Sequence, residues 1–71
     1  MGAVEFEADW STGGYPMEFY SGSTRITIDG SELDPGESET GCVERLLRKK
    51  VARGYMRSES TVRISNIRRV T

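Results

Sequence analysis

Apolar and polar residues alternate one for one from residue 3 to residue 10. Because successive side chains of a strand point to opposite faces, this alternation predicts an antiparallel strand with one buried and one solvent-facing side. The expected buried side carries Val4, Phe6, Ala8 and Trp10, and the expected solvent side carries Glu5, Glu7 and Asp9.

The glycines and the proline of residues 11–16 predict a loop after this strand. Residues 17–20 then favour a short second strand, and the Ser-Gly-Ser segment at 21–23 is typical of a turn that closes a hairpin. A third strand is predicted at 24–29, where two isoleucines alternate with polar residues.

Apolar residues recur at helical spacing in the second half of the chain, which predicts one helix. Two starting points fit the preceding residues: Asp34 followed by Pro35, or a later N-cap near Ser38 or Thr40. Gly54 is the expected end of the helix. The apolar stripe consists of Val43, Leu46, Leu47 and Val51, and Lys50 falls inside the same arc.

The last strand is predicted over residues 61–67, and its alternation slips at Asn66-Ile67, which indicates a bulge or the end of the strand. The expected order is β-β-β-α-β. This is an α+β fold in which a small, mainly antiparallel sheet carries one helix on its apolar face. Residues 1–71 are expected to form a single domain, and an open sheet edge in so short a domain favours dimerisation.

The formal net charge of −1 conceals a division along the chain. Residues 1–43 carry nine acidic residues against Arg25 alone, a net charge of −8, and residues 44–71 carry nine basic residues against two acidic ones, a net charge of +7. Two interpretations are open. Either the basic half binds an anionic partner, or the two halves fold against each other and partly neutralise their charges.

The composition is poor in catalytic groups. The chain contains no His, which removes the imidazole base of most serine, cysteine and acid–base mechanisms. Its one cysteine, Cys42, has no visible base partner and is expected to be a small buried residue rather than a nucleophile. Asp29, Glu32 and Asp34 lack the spacing of a calcium loop. We therefore expect no enzymatic activity, no cofactor and no metal site.

No apolar run approaches the ~18 residues of a membrane span. The first residues also lack the basic start and apolar stretch of a signal peptide. These features predict a cytoplasmic domain without a membrane partner.

Three groups of residues are candidates for binding a partner. The groups are a basic helix face of Arg45, Arg48, Lys49, Lys50 and Arg53, an acidic sheet face of Glu5, Glu7, Asp9 and Glu18, and the aromatic anchors Trp10 and Tyr15.

The expected environment of these residues differs. Arg25 and Arg63 are expected to neutralise part of the acidic sheet face if they project from that face, and Trp10 is expected to pack at the edge of the core. Lys50 either snorkels past the edge of the helix or presents a cation beside an apolar patch to an acidic partner.

These features favour a small non-catalytic protein-binding module that regulates or inhibits a larger protein or protein–nucleic-acid complex by occupying its surface. In size and character the chain resembles small phage or mobile-element proteins that block host defence, anti-CRISPR proteins among them, although no motif carries this resemblance. One alternative is a nucleic-acid-binding protein that uses the basic helix and the C-terminal arginines. Another is a small structural subunit of a larger assembly. The C-terminal arginines are Arg57, Arg63, Arg68 and Arg69.

Overall fold

A computed structural model describes residues 3–14 and 17–70 and contains three strands and one long helix. The strands form one antiparallel sheet and the helix packs against one of its faces, which confirms the predicted α+β class. In chain order the elements are β1 (Val4–Gly14), β2 (Met17–Ile28), α1 (Glu39–Tyr55) and β3 (Val62–Arg69), with short 3-10 turns at Gly30–Glu32 and Glu59–Thr61.

The first two strands are longer than the sequence pattern predicts. Residues 11–14 continue β1 instead of forming a loop, and residues 21–23 lie inside β2 instead of turning it. Gly22 stays extended opposite Trp10, and a Cβ on Gly22 would approach the Trp10 ring to 3.0 Å. The missing side chain of Gly22 therefore leaves space for the Trp10 indole, and this glycine does not mark a turn. The predicted second and third strands are one strand, and the order is β-β-α-β.

β1 is the central strand of the sheet, with β2 on one side and β3 on the other. The predicted irregularity of the last strand is a bulge, in which Asn66 and Ile67 lie opposite the single residue Ala8. Asn66 adopts a left-handed backbone conformation with φ of 54°, which asparagine tolerates better than most residues. The extra residue directs Ile67 toward the core, where it packs against both clusters of buried residues.

α1 begins at the later of the two predicted starting points. Ser38 is its N-cap, and the Ser38 hydroxyl accepts a hydrogen bond of 3.1 Å from the backbone N–H of Gly41. The predicted end at Gly54 is wrong, because the helix continues to Tyr55 and Met56 takes the left-handed capping conformation with φ of 54°. Met56 is 88% exposed, so this capping residue does not pack in the core.

The core lies between α1 and the sheet in two clusters. The helix contributes mainly the row Val43, Leu47 and Val51, each four residues from the next. Because a row at this spacing advances around the helix by about 40° per step, Lys50 leaves the buried side and is exposed. One cluster contains Ala8, Leu47, Val51, Ala52 and Val62, and the other contains Phe6, Ile28, Cys42 and Val43.

Candidate interaction surfaces

The predicted acidic sheet face is largely paired with arginines. The outer face of the sheet, on the side away from α1, brings Glu5, Glu7 and Asp9 together along β1. Arg68 of β3 donates to Glu7 at 2.8 Å and lies 3.5 Å from Asp9. Arg25 of β2 lies 3.8 Å from Glu7 and 3.9 Å from Glu5. The face is therefore a row of alternating charges rather than a free array of carboxylates.

Asp9 accepts hydrogen bonds from two neighbouring polar side chains. Ser23 donates to it at 2.6 Å and the Asn66 amide donates at 3.0 Å. These two hydrogen bonds, with Arg68 nearby, hold the pKa of the Asp9 carboxyl below its usual value. Glu18, the fourth predicted member, instead accepts a hydrogen bond of 2.8 Å from the hydroxyl of Tyr20. The structure thus brings together Glu5, Glu7 and Asp9, and Glu18 lies apart from them.

Two arginines of the predicted basic face are engaged within the molecule. Arg45 donates to Glu37 at 2.9 Å and to the Glu32 carbonyl at 2.8 Å, and it lies 3.5 Å from Asp34. These contacts fasten the segment before α1 to the helix. The Arg45 hydrogen bonds, together with the backbone N–H of Asp34, lower the pKa of Glu37 to about 2. Arg48 pairs with Glu44 one turn earlier in the helix at 2.8 Å.

The other three members of that face are free. Lys49, Lys50 and Arg53 are exposed, and among the residues that the structure describes none of them forms an ion pair. Together with Leu46 and Gly54 they line a shallow depression of about 440 Å³ on α1. The structure therefore places Lys50 in contact with solvent, beside the half-buried Leu46.

A second depression adjoins the first at the C-terminal end of α1. Lys49 and Arg53 line both depressions, and the second one, of about 650 Å³, also includes Met56 and Arg57. The Arg57 guanidinium lies 5.8 Å from the centre of the Tyr20 ring. Exposed cations and the largely exposed Met56 are thus continuous with an aromatic cluster.

That cluster consists of three rings from three different elements. Tyr55 of α1 lies 4.7 Å from Tyr20 of β2 and 5.3 Å from Trp10 of β1, measured between ring centres. The Trp10 indole N–H donates to Thr24 at 3.4 Å, and Trp10 is half-buried at the edge of the core. Tyr15, the other predicted anchor, lies outside the described residues. We call Tyr20, Tyr55, Met56 and Arg57, together with Lys49 and Arg53, the aromatic–basic surface.

Sequence reasoning did not identify the tyrosines, Met56 or Arg57 as members of this surface. Tyr20 and Tyr55 are 35 positions apart, and no local pattern shows that their rings stack. A signal in the sequence was the pair Met56-Arg57, an apolar residue and a cation directly after the predicted helix.

Cys42 is fully buried, and burial, followed by the nearby Glu37 carboxylate, raises the pKa of its thiol. Its Sγ atom lies 3.5 Å from the Glu32 carbonyl. These contacts make Cys42 a packing residue of the helix start.

Over residues 3–14 and 17–70, no three His, Cys, Asp or Glu side chains are grouped closely enough to hold a metal ion. In the same described ranges, no helix has the length and apolar character needed to cross a membrane. Comparison with protein-family models, curated proteins and solved structures found no match to this chain.

Proposed function

We propose that this chain is a non-catalytic protein-binding module that regulates or inhibits a larger partner by occupying its surface. The observation that supports this function is the aromatic–basic surface, where tyrosines, an exposed methionine and arginines lie side by side. Tyrosine and arginine are the residue types that dominate the binding energy of protein interfaces, and methionine is also enriched there. Binding of this kind needs neither a deep pocket nor a cofactor.

The partner surface that fits best is acidic with apolar side chains. Lys49, Lys50 and Arg53 have no ion-pair partner in the described part of the chain, whereas the carboxylates of the outer sheet face are paired with Arg25 and Arg68. Three exposed cations without an ion-pair partner in the described residues therefore lie together on α1. Unpaired cations accelerate encounter with an anionic surface and add specificity.

Nucleic acid is the main competing partner for the same cations. Single-stranded nucleic acid binds by stacking its bases on exposed ring faces. Here Tyr55 already packs against Trp10 and Tyr20, and Tyr20 also faces the Arg57 guanidinium. Rings that are occupied in this way favour contacts through their edges and hydroxyls, which suits a protein surface better than a base.

In this proposal the module acts in the cytoplasm. The resemblance in size and charge character to phage and mobile-element proteins suggests a host defence complex as one class of target. The proposal includes that anti-defence role as its most specific form, with inhibition arising from occlusion of the target's surface.

The test is capture of partners from a lysate of the organism that encodes the chain, with and without nuclease and with elution by salt. We expect a stoichiometric protein partner that survives nuclease treatment. Arg53→Glu and Met56→Asp should abolish its capture, because they place a negative charge in the aromatic–basic surface.

Arg63→Glu is the matched control. Arg63 is also an exposed arginine of the described chain for which the structure shows no ion pair, but it lies on β3 away from the proposed contact. Its variant should capture the partner as well as the native chain does. Recovery of nucleic acid alone, lost steeply between low and moderate salt and weakened by Arg63→Glu, would replace the proposal with the nucleic-acid-binding alternative.

A further inference from the structure

The two edges of the sheet differ in how well they are protected against pairing with another strand. The β3 edge is interrupted by the bulge at Asn66 and carries Arg63, Arg68 and Arg69. Bulges and charged side chains are the usual devices that stop edge strands from recruiting new partners. β2 forms the opposite edge, and within the described ranges no strand pairs with its outer side.

β2 is regular over most of its length. Its register shifts only near Gly13 of β1, and from Tyr20 to Ile28 its nine residues pair one for one with Thr12 to Val4. This regular segment contains neither proline nor lysine, and its one charged residue, Arg25, lies over carboxylates of β1. It therefore lacks the protection that the β3 edge possesses.

The middle of this segment has a position without a side chain and a half-exposed apolar residue. Gly22 lies under the Trp10 ring of β1, which would stand 3.0 Å from a Cβ at this position, so the ring is the group that a residue opposite Gly22 would meet. Four residues later Ile26 faces the same side of the sheet and remains half-exposed. The midpoint between the two is Thr24, which is also the midpoint of the regular segment.

We propose that β2 pairs antiparallel with β2 of a second copy of this chain, with Thr24 on the two-fold axis. In this register the full regular segments overlap, and Ile26 of each copy packs opposite Gly22 of the other and against its Trp10 ring. Thr24 lies opposite Thr24, which is a favourable cross-strand pair. A single register thus overlaps the full regular segments and brings each Ile26 onto the Trp10 ring that covers Gly22 of the other copy, and this self-complementarity distinguishes a second copy from an unrelated strand.

The first test is disulfide crosslinking between two variants. Ser21 and Thr27 are exposed residues of β2 on the outer face, and the proposed register places Ser21 of one copy opposite Thr27 of the other. A mixture of Ser21→Cys and Thr27→Cys chains should form a crosslinked dimer on mild oxidation. Thr27→Cys alone should not, because its two copies would lie roughly 20 Å apart along the strands.

Ser65→Cys, on the other edge, is the matched control for that experiment. A mixture of Ser65→Cys and Thr27→Cys should give no crosslinked dimer, since β3 lies on the far side of β1. Crosslinking of equal yield in the control mixture would overturn the proposal. Cys42 does not interfere, because it is fully buried.

The second test uses charge pairs and sedimentation velocity over the micromolar range. The double variant Ser21→Lys/Thr27→Lys places like charges opposite each other at both ends of the paired strands, whereas Ser21→Glu/Thr27→Lys places opposite charges there. We expect the first variant to be monomeric and the second to dimerise at least about tenfold more tightly than the first. Circular dichroism of both variants checks that the monomer is folded.

Dimerisation of the native chain with this order of the two variants would support the proposal. A native chain that stays monomeric throughout the range would overturn it and leave the edge for an unrelated strand. A dimer that responds equally to both variants would also overturn it, because the contact would then lie elsewhere. Neither test involves the aromatic–basic surface cations, so failure here is distinguishable from failure of the proposed function.

Discussion

At Gly13 of β1 the neighbouring backbone leaves no room for a side chain. Its φ of 118° lies in the region that L-residues rarely adopt, and a Cβ at this position would collide with the backbone carbonyl of Glu18. The local shift of register between β1 and β2 occurs at this point. The glycine therefore permits the strands to remain paired up to Gly14.

Replacement of Gly13 by alanine should lower the free energy of unfolding by about 2 kcal/mol or more, since both the backbone and the Glu18 carbonyl must move. Gly54→Ala is the control, because Gly54 lies in α1 with nothing within 4 Å of the position of a Cβ. That variant should raise stability by about 0.5 kcal/mol through helix propensity. Urea unfolding of the two variants measures both effects, and equal destabilisation would contradict this explanation.

The start of α1 depends on a small network outside the helix itself. Ser38 caps the helix, Glu37 accepts two hydrogen bonds from Arg45, and Glu37 also accepts one from the backbone N–H of Asp34. The network joins the Glu37 carboxylate, which lies in the linker between β2 and α1, to the guanidinium of Arg45 within the helix. It couples the position of the linker to the helix that carries the aromatic–basic surface.

This network should make stability depend on acid. The pKa of Glu37 is lowered from 4.5 to about 2 in the folded state, so its contribution is fully present above about pH 4.5 and is lost as the pH falls toward 2. Thermal unfolding between pH 7 and pH 2 should show a smaller acid-induced loss in Glu37→Gln than in the native chain.

Glu39→Gln is the control for that measurement, because Glu39 is an exposed carboxylate of the first helical turn for which the described chain shows no ion pair. Its pH profile should follow the native one closely. A profile of Glu37→Gln that also follows the native one would show that the Arg45 contacts do not contribute to acid sensitivity.

The acidic and basic halves of the chain meet in the folded molecule. Arg68 of β3 pairs with Glu7 on the neighbouring strand β1, and Arg45 of α1 pairs with Glu37 eight positions earlier, so residues of the acidic and basic halves neutralise each other. Of the two interpretations of the charge division, partial neutralisation is the one that the structure supports for these residues. The anion-binding interpretation still applies to Lys49, Lys50 and Arg53, the helix cations that have no ion-pair partner in the described residues.

Reversal of the charge at Glu7 should therefore lower stability rather than only alter a binding face. Glu7→Lys would face both Arg25 and Arg68, and we expect a loss of about 1 kcal/mol in the free energy of unfolding at low salt. Glu59→Lys makes the same change of charge at an exposed residue without an ion pair in the described chain and should cost much less. Urea unfolding at low and high salt compares them, and a difference that persists at high salt would argue against electrostatics.

The helix cations were identifiable from sequence, but their availability was not. Helical spacing places Arg45, Arg48, Lys49 and Arg53 on the solvent side, and the structure then removes the first two by pairing them with acidic residues. Arg45 meets Glu37 eight positions earlier, across a linker whose path no periodicity specifies. Which helix cations remain without an ion-pair partner therefore depends on the tertiary structure.

Periodicity alone predicted the first strand over residues 3–10, the presence of the helix and an irregularity at Asn66-Ile67, because each depends on which side successive residues face over about ten positions. The continuity of β2 was not readable in this way. Ser-Gly-Ser has the composition of a turn, and only the Trp10 ring on the neighbouring strand explains why Gly22 is extended there. The aromatic cluster and the arginine pairs likewise depend on strand register and on where the helix lies, which are set by contacts between residues far apart in the chain.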